Sequence, residues 1–246
     1  MLAENCRQEY LDRLLAAHPH PAVSMIIYAD VPRFLDCFRK EAAAQPWMTQ
    51  ELYERLERET IEVSTPSLNQ LFSSENYLAL LNIPLITGRA LPQPILAYPR
   101  LFKCPPEQIE EMIVLHEYRH AEQNAHGICC SDRVLDHTNL PYWGSASSTL
   151  AEADASIAAL DVMRTRSQRT KFFYWSINDL SQRAFVLDAL GQSLSASADD
   201  RLAHERQAIV GWFLSKARKL LNEGLADELG AYRQKHGFLS DKLPLS

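Results

Sequence analysis

The sequence lacks the features that would place it in several specialised classes of protein. Glycine accounts for only 8 of 246 residues, and no apolar run is long enough for a transmembrane helix. The cysteines are odd in number and include no C-x-x-C pair, which argues against a disulfide framework and against a cysteine zinc site. They are Cys6, Cys37, Cys104, Cys129 and Cys130.

The first fifteen residues, MLAENCRQEYLDRLL, contain no basic segment followed by a continuous apolar one. We therefore expect no cleaved signal peptide. The expected location is the cytoplasm, or outside the cell after export by a route that needs no such signal. The net charge of −6 gives no electrostatic attraction to nucleic acid or to anionic membranes, so we expect neither as a partner. A composition of 46% hydrophobic and 23% charged residues is typical of a soluble globular protein.

Strand patterns are confined to the first half of the chain. They cover residues 23–29 and 61–65 and two apolar runs within 76–99. Helical patterns are expected over residues 4–17, 32–44, 49–59, 105–126, 149–165, 175–194, 200–222 and 224–235. The basic stretch RTRSQRTK at 164–171 is expected to be a solvated connection.

These patterns predict an α+β fold, with a small mixed sheet in the N-terminal half and a mostly helical remainder. We expect a single domain over 1–246, with a subdivision into a sheet-containing part (1–104) and a helical part (105–246).

The segment from Pro105 to Gly127 has the start and stop signals of a helix. It begins with proline and acidic residues and ends at glycine. Apolar residues surround this helix on nearly every side, so it should be buried. Histidines inside a buried helix need partners, and a metal ion is one that satisfies them.

Within this helix, His116-Glu117-Tyr118-Arg119-His120 matches the pattern H-E-x-x-H. Two histidines four residues apart lie on one helix face, about 6 Å apart along the axis, so both can reach one metal ion. Neutral imidazole is a good zinc ligand, and two such ligands leave room for a third side chain and a water. Glu117 is then placed to act as the general base toward that water.

The segment HEYRHAEQ resembles the zincin metallopeptidases. It is also similar to uncharacterised bacterial proteins in which a second helix carries E-A-D-A, here Glu152-Ala153-Asp154-Ala155. The resemblance covers about residues 94–162. It implies a zinc metallopeptidase with one Zn²⁺ per chain, a catalytic Glu117 and a peptide or protein substrate. It also implies that residues 94–99, PILAYP, form the sheet edge that holds an extended substrate.

Three residues compete for the place of third metal ligand. Glu152 is favoured, because it resembles the ligand that gluzincins supply from a later helix. His126 would complete the metzincin pattern, but Gln123 stands where that pattern has the glycine that turns the chain out of the helix. Asp154 is either an alternative ligand or a support for a ligating histidine.

Two further residues are candidates for stabilising the transition state, as later residues do in this superfamily: Tyr142 and His204. The leading hypothesis is hydrolysis of a peptide bond by a zinc-dependent peptidase. The alternatives are a zinc-dependent hydrolase of a non-peptide amide and a catalytically inert helical interaction module. By analogy at the level of the fold, a small zincin of this kind would suit a bacterial toxin or injected effector.

Overall fold

The computed structural model describes residues 6–30, 32–33, 36, 39–40, 43, 48–58, 78–80, 92–126, 143–195 and 201–237. The chain divides into two units, Met1–Ile109 and Glu110–Ser246. The predicted strand 61–65 lies outside the described residues, and most of the predicted helix 32–44 does too. Among the residues that are described, no helix is both long and apolar enough to span a membrane.

The first unit contains a small mixed sheet. Its described elements are α1 (Arg7–Ala17), β1 (Val23–Tyr28), α2 (Gln50–Arg58), β2 (Leu78–Leu80), β3 (Gln93–Ala97) and a 3₁₀ helix (Pro99–Lys103). The strand order is β1-β3-β2, with β3 parallel to β1 and antiparallel to β2. Ile26 and Ile95 pair in register and are almost completely buried, as expected for apolar β-branched residues in a sheet core.

The position of β3 corrects one expectation. β3 is the middle strand, because β1 pairs with it along one side and β2 pairs with residues 95–97 along the other. Its main-chain donors and acceptors are therefore already used within the sheet. The prediction that residues 94–99 form a free edge for an extended substrate is wrong for this part of the strand.

α1 covers the outer edge of β1 through one side chain. The amide of Gln8 donates to the Ile26 carbonyl (2.8 Å) and accepts from the Tyr28 backbone N–H (2.9 Å). These are main-chain groups that an edge strand would otherwise leave unpaired. Leu11 and Leu14 of the same helix are buried.

The second unit is helical, and together the two units have the α+β composition that the sequence predicts. A helix that begins at Pro106, in the last residues of the first unit, has three parts: α3 (Pro106–Glu110), a π-helical segment (Glu111–Glu117) and α4 (Tyr118–His126). The helices that follow are α5 (Trp143–Met163), α6 (Lys171–Ser195), α7 (Arg201–Leu220) and α8 (Ala226–His236). The chain turns between α7 and α8 at Gly224, whose φ of 105° is one that glycine adopts without strain.

α5 is the helix around which this unit packs. It contacts the π-helical segment, α4, α6 and α7. Ala153, Ala155 and Ala159 are completely buried. Their small side chains let neighbouring backbones approach closely, which brings residues of α5 near those of the helix that carries the H-E-x-x-H motif.

The connection between α5 and α6 is partly exposed, and several of its side chains make hydrogen bonds to the neighbouring helices. Arg166 donates to the buried Glu111 carboxylate (2.9 Å), and Thr170 donates to the other oxygen of the same group. Arg169 donates to the carbonyls of Met163 (2.7 Å) and Arg164 (2.9 Å). Arg166 and Thr170 therefore attach the start of α6 to the π-helical segment. The stretch is a connection with exposed residues, as expected, but part of it is fixed by these hydrogen bonds.

Candidate metal centre

The two histidines of the motif point their Nε2 atoms at one place. His116 lies near the end of the π-helical segment and His120 lies in the first turn of α4. Their Nε2 atoms are 3.2 Å apart, and the rings are nearly perpendicular, with centroids 4.7 Å apart. His116 is buried, whereas His120 is partly buried. The four-residue spacing thus brings two ring nitrogens together, as the sequence predicts.

Glu152 joins the two histidines from α5. One carboxylate oxygen lies 3.4 Å from His116 Nε2 and the other lies 3.6 Å from His120 Nε2. One ligand atom from each of the three side chains lies within 4.8 Å of the other two. These three residues form a group that could hold a metal ion.

The spacing of these atoms fits a metal site better than a set of direct hydrogen bonds. Ligand atoms about 2.0–2.1 Å from a tetrahedral zinc ion lie about 3.4 Å from one another. The two Nε2 atoms are 3.2 Å apart, and the nearest Glu152 oxygen to each lies 3.4 Å from His116 and 3.6 Å from His120, with a different oxygen facing each ring. These distances are close to the spacing of ligand atoms around zinc. Strong hydrogen bonds between charged nitrogen and oxygen atoms are shorter, at about 2.7–2.9 Å. Two imidazole nitrogens and a carboxylate are also a donor set common at catalytic zinc sites.

Gln123 determines which nitrogen of His120 carries the proton. Its amide NH₂ group faces two acceptors, the Ala151 carbonyl (2.9 Å) and the Asp154 carboxylate (2.8 Å). Its Oε1 atom therefore faces His120 Nδ1, at 2.9 Å, and can only accept. His120 therefore donates from Nδ1, and in its neutral form the lone pair lies on Nε2, where a metal could bind.

Asp154 lies behind Gln123 and does not join the three-residue group. Its two oxygens accept from Arg119, at 2.6 and 3.2 Å, in a bidentate ion pair, and one of them also accepts from Gln123. Arg119 additionally donates to Glu122 (2.7 Å). Of the two roles considered for Asp154, this geometry is that of a support for a histidine, acting through an intervening amide.

His116 has different surroundings. Phe172 and Trp175 of α6 approach its ring edge-on, at centroid distances of 5.9 and 6.0 Å, and stack on each other at 5.5 Å. The Nδ1 atom of His116 is buried, and no described group hydrogen-bonds to it. Packing against aromatic rings, rather than a hydrogen bond within the described residues, holds this ring.

The charges at the site are strongly coupled. Burial opposes ionisation of Glu152, but its interactions with His116 and His120 outweigh burial and hold the pKa of Glu152 well below its usual range. Burial likewise opposes the charged form of His120, but Glu152 and Glu117 raise the pKa of His120 to about 9. Two carboxylates therefore stabilise positive charge between them, which is the charge that a metal cation would bring.

Glu117 follows His116 directly and lies close enough to interact electrostatically with all three members of the group. Burial raises the pKa of Glu117, and the positive charge of His120 and His116 offsets part of that increase. A carboxylate whose pKa is raised is a stronger base than an ordinary one and is better suited to accept a proton during catalysis.

The remaining predicted site residues have different standings. The helix continues without a break through Gln123 to His126, so the turn that the metzincin pattern needs at position 123 is absent. His204 lies in α7 with an exposed side chain. Tyr142 lies outside the described residues. The roles proposed for His204 and Tyr142 in stabilising a transition state stay predictions.

The sequence alone gives Gln123 no specific role and does not single out Phe172 or Trp175. A signal for Gln123 existed, because it lies three residues after His120 and so on the same helix face. The aromatic residues gave no such signal, since their contact with His116 arises only from the packing of α6.

Residues 102–223 match a family described as "Putative metallopeptidase family (DUF6782)". The match includes His116, Glu117, His120 and Glu152, and it supports a metallopeptidase-like assignment. No curated protein and no solved structure gave a significant match to the chain.

Proposed function

We propose that this protein is a zinc-dependent metallopeptidase with one Zn²⁺ per chain. His116, His120 and Glu152 would hold the ion, and Glu117 would act as the general base. The observation that carries the proposal is the convergence of two imidazole nitrogens, 3.2 Å apart, and the Glu152 carboxylate, so that one ligand atom from each residue lies within 4.8 Å of the other two. The family resemblance over residues 102–223 favours a peptide bond as the substrate over other amides.

Zinc is the metal that best suits these donors. Imidazole nitrogen is a favourable ligand for zinc, whereas Mg²⁺ and Ca²⁺ prefer sites made of oxygen atoms. Catalytic zinc sites have three protein ligands, which leaves one position open. The ion would supply Lewis-acid character, polarising the substrate carbonyl and acidifying a water molecule.

Glu117 performs the proton transfers in this proposal. Its carboxylate takes a proton from the attacking water as the new C–O bond forms at the peptide carbonyl. It then delivers that proton to the amide nitrogen as the C–N bond breaks, so that an amine leaves and Glu117 is ionised again. The water-poor surroundings that raise the pKa of Glu117 strengthen its basicity for the first of these steps.

The test has two parts, beginning with elemental analysis of protein purified without chelator. One zinc per chain is expected, and a zinc content near zero that does not rise after incubation with zinc would refute the metal centre. Hydrolysis of a peptide library is then compared between the wild type and Glu117→Gln, which is nearly isosteric but cannot accept the proton.

The variant should retain zinc and lose activity by about 100-fold or more. Activity within about threefold of the wild type would exclude Glu117 as the base, because a general base contributes far more than that. Hydrolysis of small amides without hydrolysis of any peptide would instead favour the alternative hydrolase.

A further inference from the structure

We propose that Gln123 is a positioning residue, which fixes the ring and the tautomer of His120 and thereby sets the affinity of the site for zinc. Asp154 and Arg119 hold Gln123 in the orientation that this requires. The inference rests on the proposed function, because it assigns His120 as a metal ligand. Gln123 itself lies outside the H-E-x-x-H pattern.

The amide of Gln123 is held in one orientation. An amide side chain has one accepting end and one donating end, and rotating it by half a turn exchanges them. Here the donating end meets two acceptors that cannot donate, the Ala151 carbonyl and the ionised Asp154. The reversed orientation would place an oxygen against two oxygens, so a single orientation is strongly preferred.

The fixed amide selects one tautomer of His120. With the Gln123 oxygen held at 2.9 Å from Nδ1, the tautomer that carries its proton on Nδ1 gains a hydrogen bond. The other tautomer would place two lone pairs against each other. A neutral imidazole can bind a metal only through the nitrogen without a proton, and for His120 this is Nε2, the atom that faces His116 and Glu152.

Arg119 and Asp154 support the amide from behind. The side chain of Asp154 is only 13% exposed, and it belongs to the same helix as Glu152. A second carboxylate so close to the site would be costly without compensation. Arg119 compensates it with a bidentate pair, which also fixes the plane of the carboxylate and directs one oxygen at Gln123. The arrangement connects α4 to α5 and so couples the position of His120 to that of Glu152.

The test compares Gln123→Met, which keeps most of the volume and removes both ends of the amide, with Gln192→Met. Gln192 lies in α6 with an exposed side chain and undergoes the same chemical change outside the site. Zinc affinity is measured by competition with a coloured chelator. Gln123→Met should raise the zinc Kd by about 10- to 100-fold, the range typical of residues that support a metal ligand. Gln192→Met should leave it unchanged within about threefold, because it lies outside that supporting set.

The second readout is the His120 imidazole itself, observed by NMR with ¹⁵N-labelled histidine. In the wild type, the Nδ1 proton should exchange slowly with water, with and without zinc, and in Gln123→Met this protection should be lost. An unchanged zinc Kd together with an unchanged Nδ1 proton would overturn the proposal. Loss of the protected proton without any change in Kd would overturn the claim about affinity.

Two controls make the result interpretable. If the wild type binds no zinc, the proposed function fails, whereas the metal-free spectra still decide whether Gln123 holds His120. If Gln123→Met does not fold, as judged by circular dichroism, Asp154→Asn replaces it. That change removes the charge behind Gln123 and should raise the zinc Kd by about tenfold, the low end of the same range. A zinc Kd for Asp154→Asn equal to that of the wild type would count against the proposal.

Discussion

The two histidines of one short motif are held in place by different kinds of contact, on a polar side and on an aromatic side of the candidate site. On the polar side, His120 is hydrogen-bonded through Gln123 to Asp154. On the aromatic side, His116 is packed against Phe172 and Trp175, and its buried Nδ1 has no hydrogen bond to any described group. A hydrogen bond selects a tautomer and a direction, whereas packing restricts the ring without choosing between its nitrogens. The polar side should therefore control zinc affinity, and the aromatic side should contribute mainly to stability.

The largest effect is expected where the two sides meet, at Glu152, which faces both histidines. Glu152→Ala should raise the zinc Kd by more than about 100-fold, beyond the range typical of residues that only support a ligand. His126→Ala serves as the control and should leave the Kd nearly unchanged, because residue 126 lies about 9 Å further along the helix than His120. Competition with a coloured chelator measures the zinc Kd of both variants. The reverse result would mean that His126 is the third ligand.

The next prediction concerns the aromatic side alone and is a change in stability. Phe172 is 1% exposed, and Phe172→Leu should lower the free energy of unfolding by about 1–2 kcal/mol. The zinc Kd of the folded protein should stay close to that of the wild type. Phe185→Leu is the matched control, since Phe185 lies in the same helix but is 78% exposed, and it should change stability by at most about 0.5 kcal/mol. Denaturant titrations measure the free energy of unfolding of both variants. Equal losses would show that the packing of Phe172 contributes no more to stability than an exposed residue does.

A smaller effect on zinc affinity is expected at Arg119, which acts on the polar side through Asp154 and Gln123. Arg119→Lys keeps the charge but cannot form the bidentate pair with Asp154. The zinc Kd should rise by about three- to tenfold, less than for Gln123→Met, because Gln123 remains in place to support the ligand. Glu122→Ala, which removes the other partner of Arg119, should have no measurable effect on zinc. A larger effect for Glu122→Ala than for Arg119→Lys would contradict the division of roles.

The last prediction concerns Glu111, which attaches the start of α6, the helix that carries Phe172 and Trp175, to the π-helical segment. Burial raises the pKa of Glu111, although its hydrogen bond from Thr170 and the charge of Arg166 offset part of the increase. The unfolded chain therefore ionises first as the pH rises. Stability from this group is present below its ordinary pKa and is lost as the pH rises through the raised pKa of the folded state. The loss amounts to about 1.4 kcal/mol for each pH unit between the two values.

Denaturant titrations from about pH 4 upward should show a steeper decline in the wild type than in Glu111→Gln. The variant keeps Glu117 and Asp179, whose pKa values are also raised by burial. Glu107→Gln, at an exposed position, should retain the wild-type pH dependence. An identical pH dependence for the wild type and Glu111→Gln would mean that Glu111 contributes nothing to it.

Much of the local structure could be predicted from the sequence. The strand at 23–28 and the helices of the second unit follow from apolar periodicity and from proline and glycine signals. The pairing of His116 with His120 follows from helix geometry alone, since residues four apart share a face. The preference for Glu152 came from a family resemblance, and the structure brings its carboxylate to both histidines.

Other features depend on contacts between distant segments. The middle position of β3 depends on which strands pair with it, and alternation within a strand does not encode that. The role of Arg166 depends on a buried Glu111 that lies 55 residues earlier in the chain. The π-helical segment that contains His116 also has no simple signature in the residues that form it.

The sequence by itself therefore determined which groups the candidate site contains within about one helical turn: two imidazoles and a carboxylate. Only the tertiary structure decided how each ligand is oriented. Nothing in the local sequence distinguishes Gln123 from other helix residues. Its orientation depends on the Ala151 carbonyl and on Asp154, which α5 places beside its amide. The physical reason is that helical spacing acts over a few residues, whereas the direction of a hydrogen bond depends on where a partner from another helix lies.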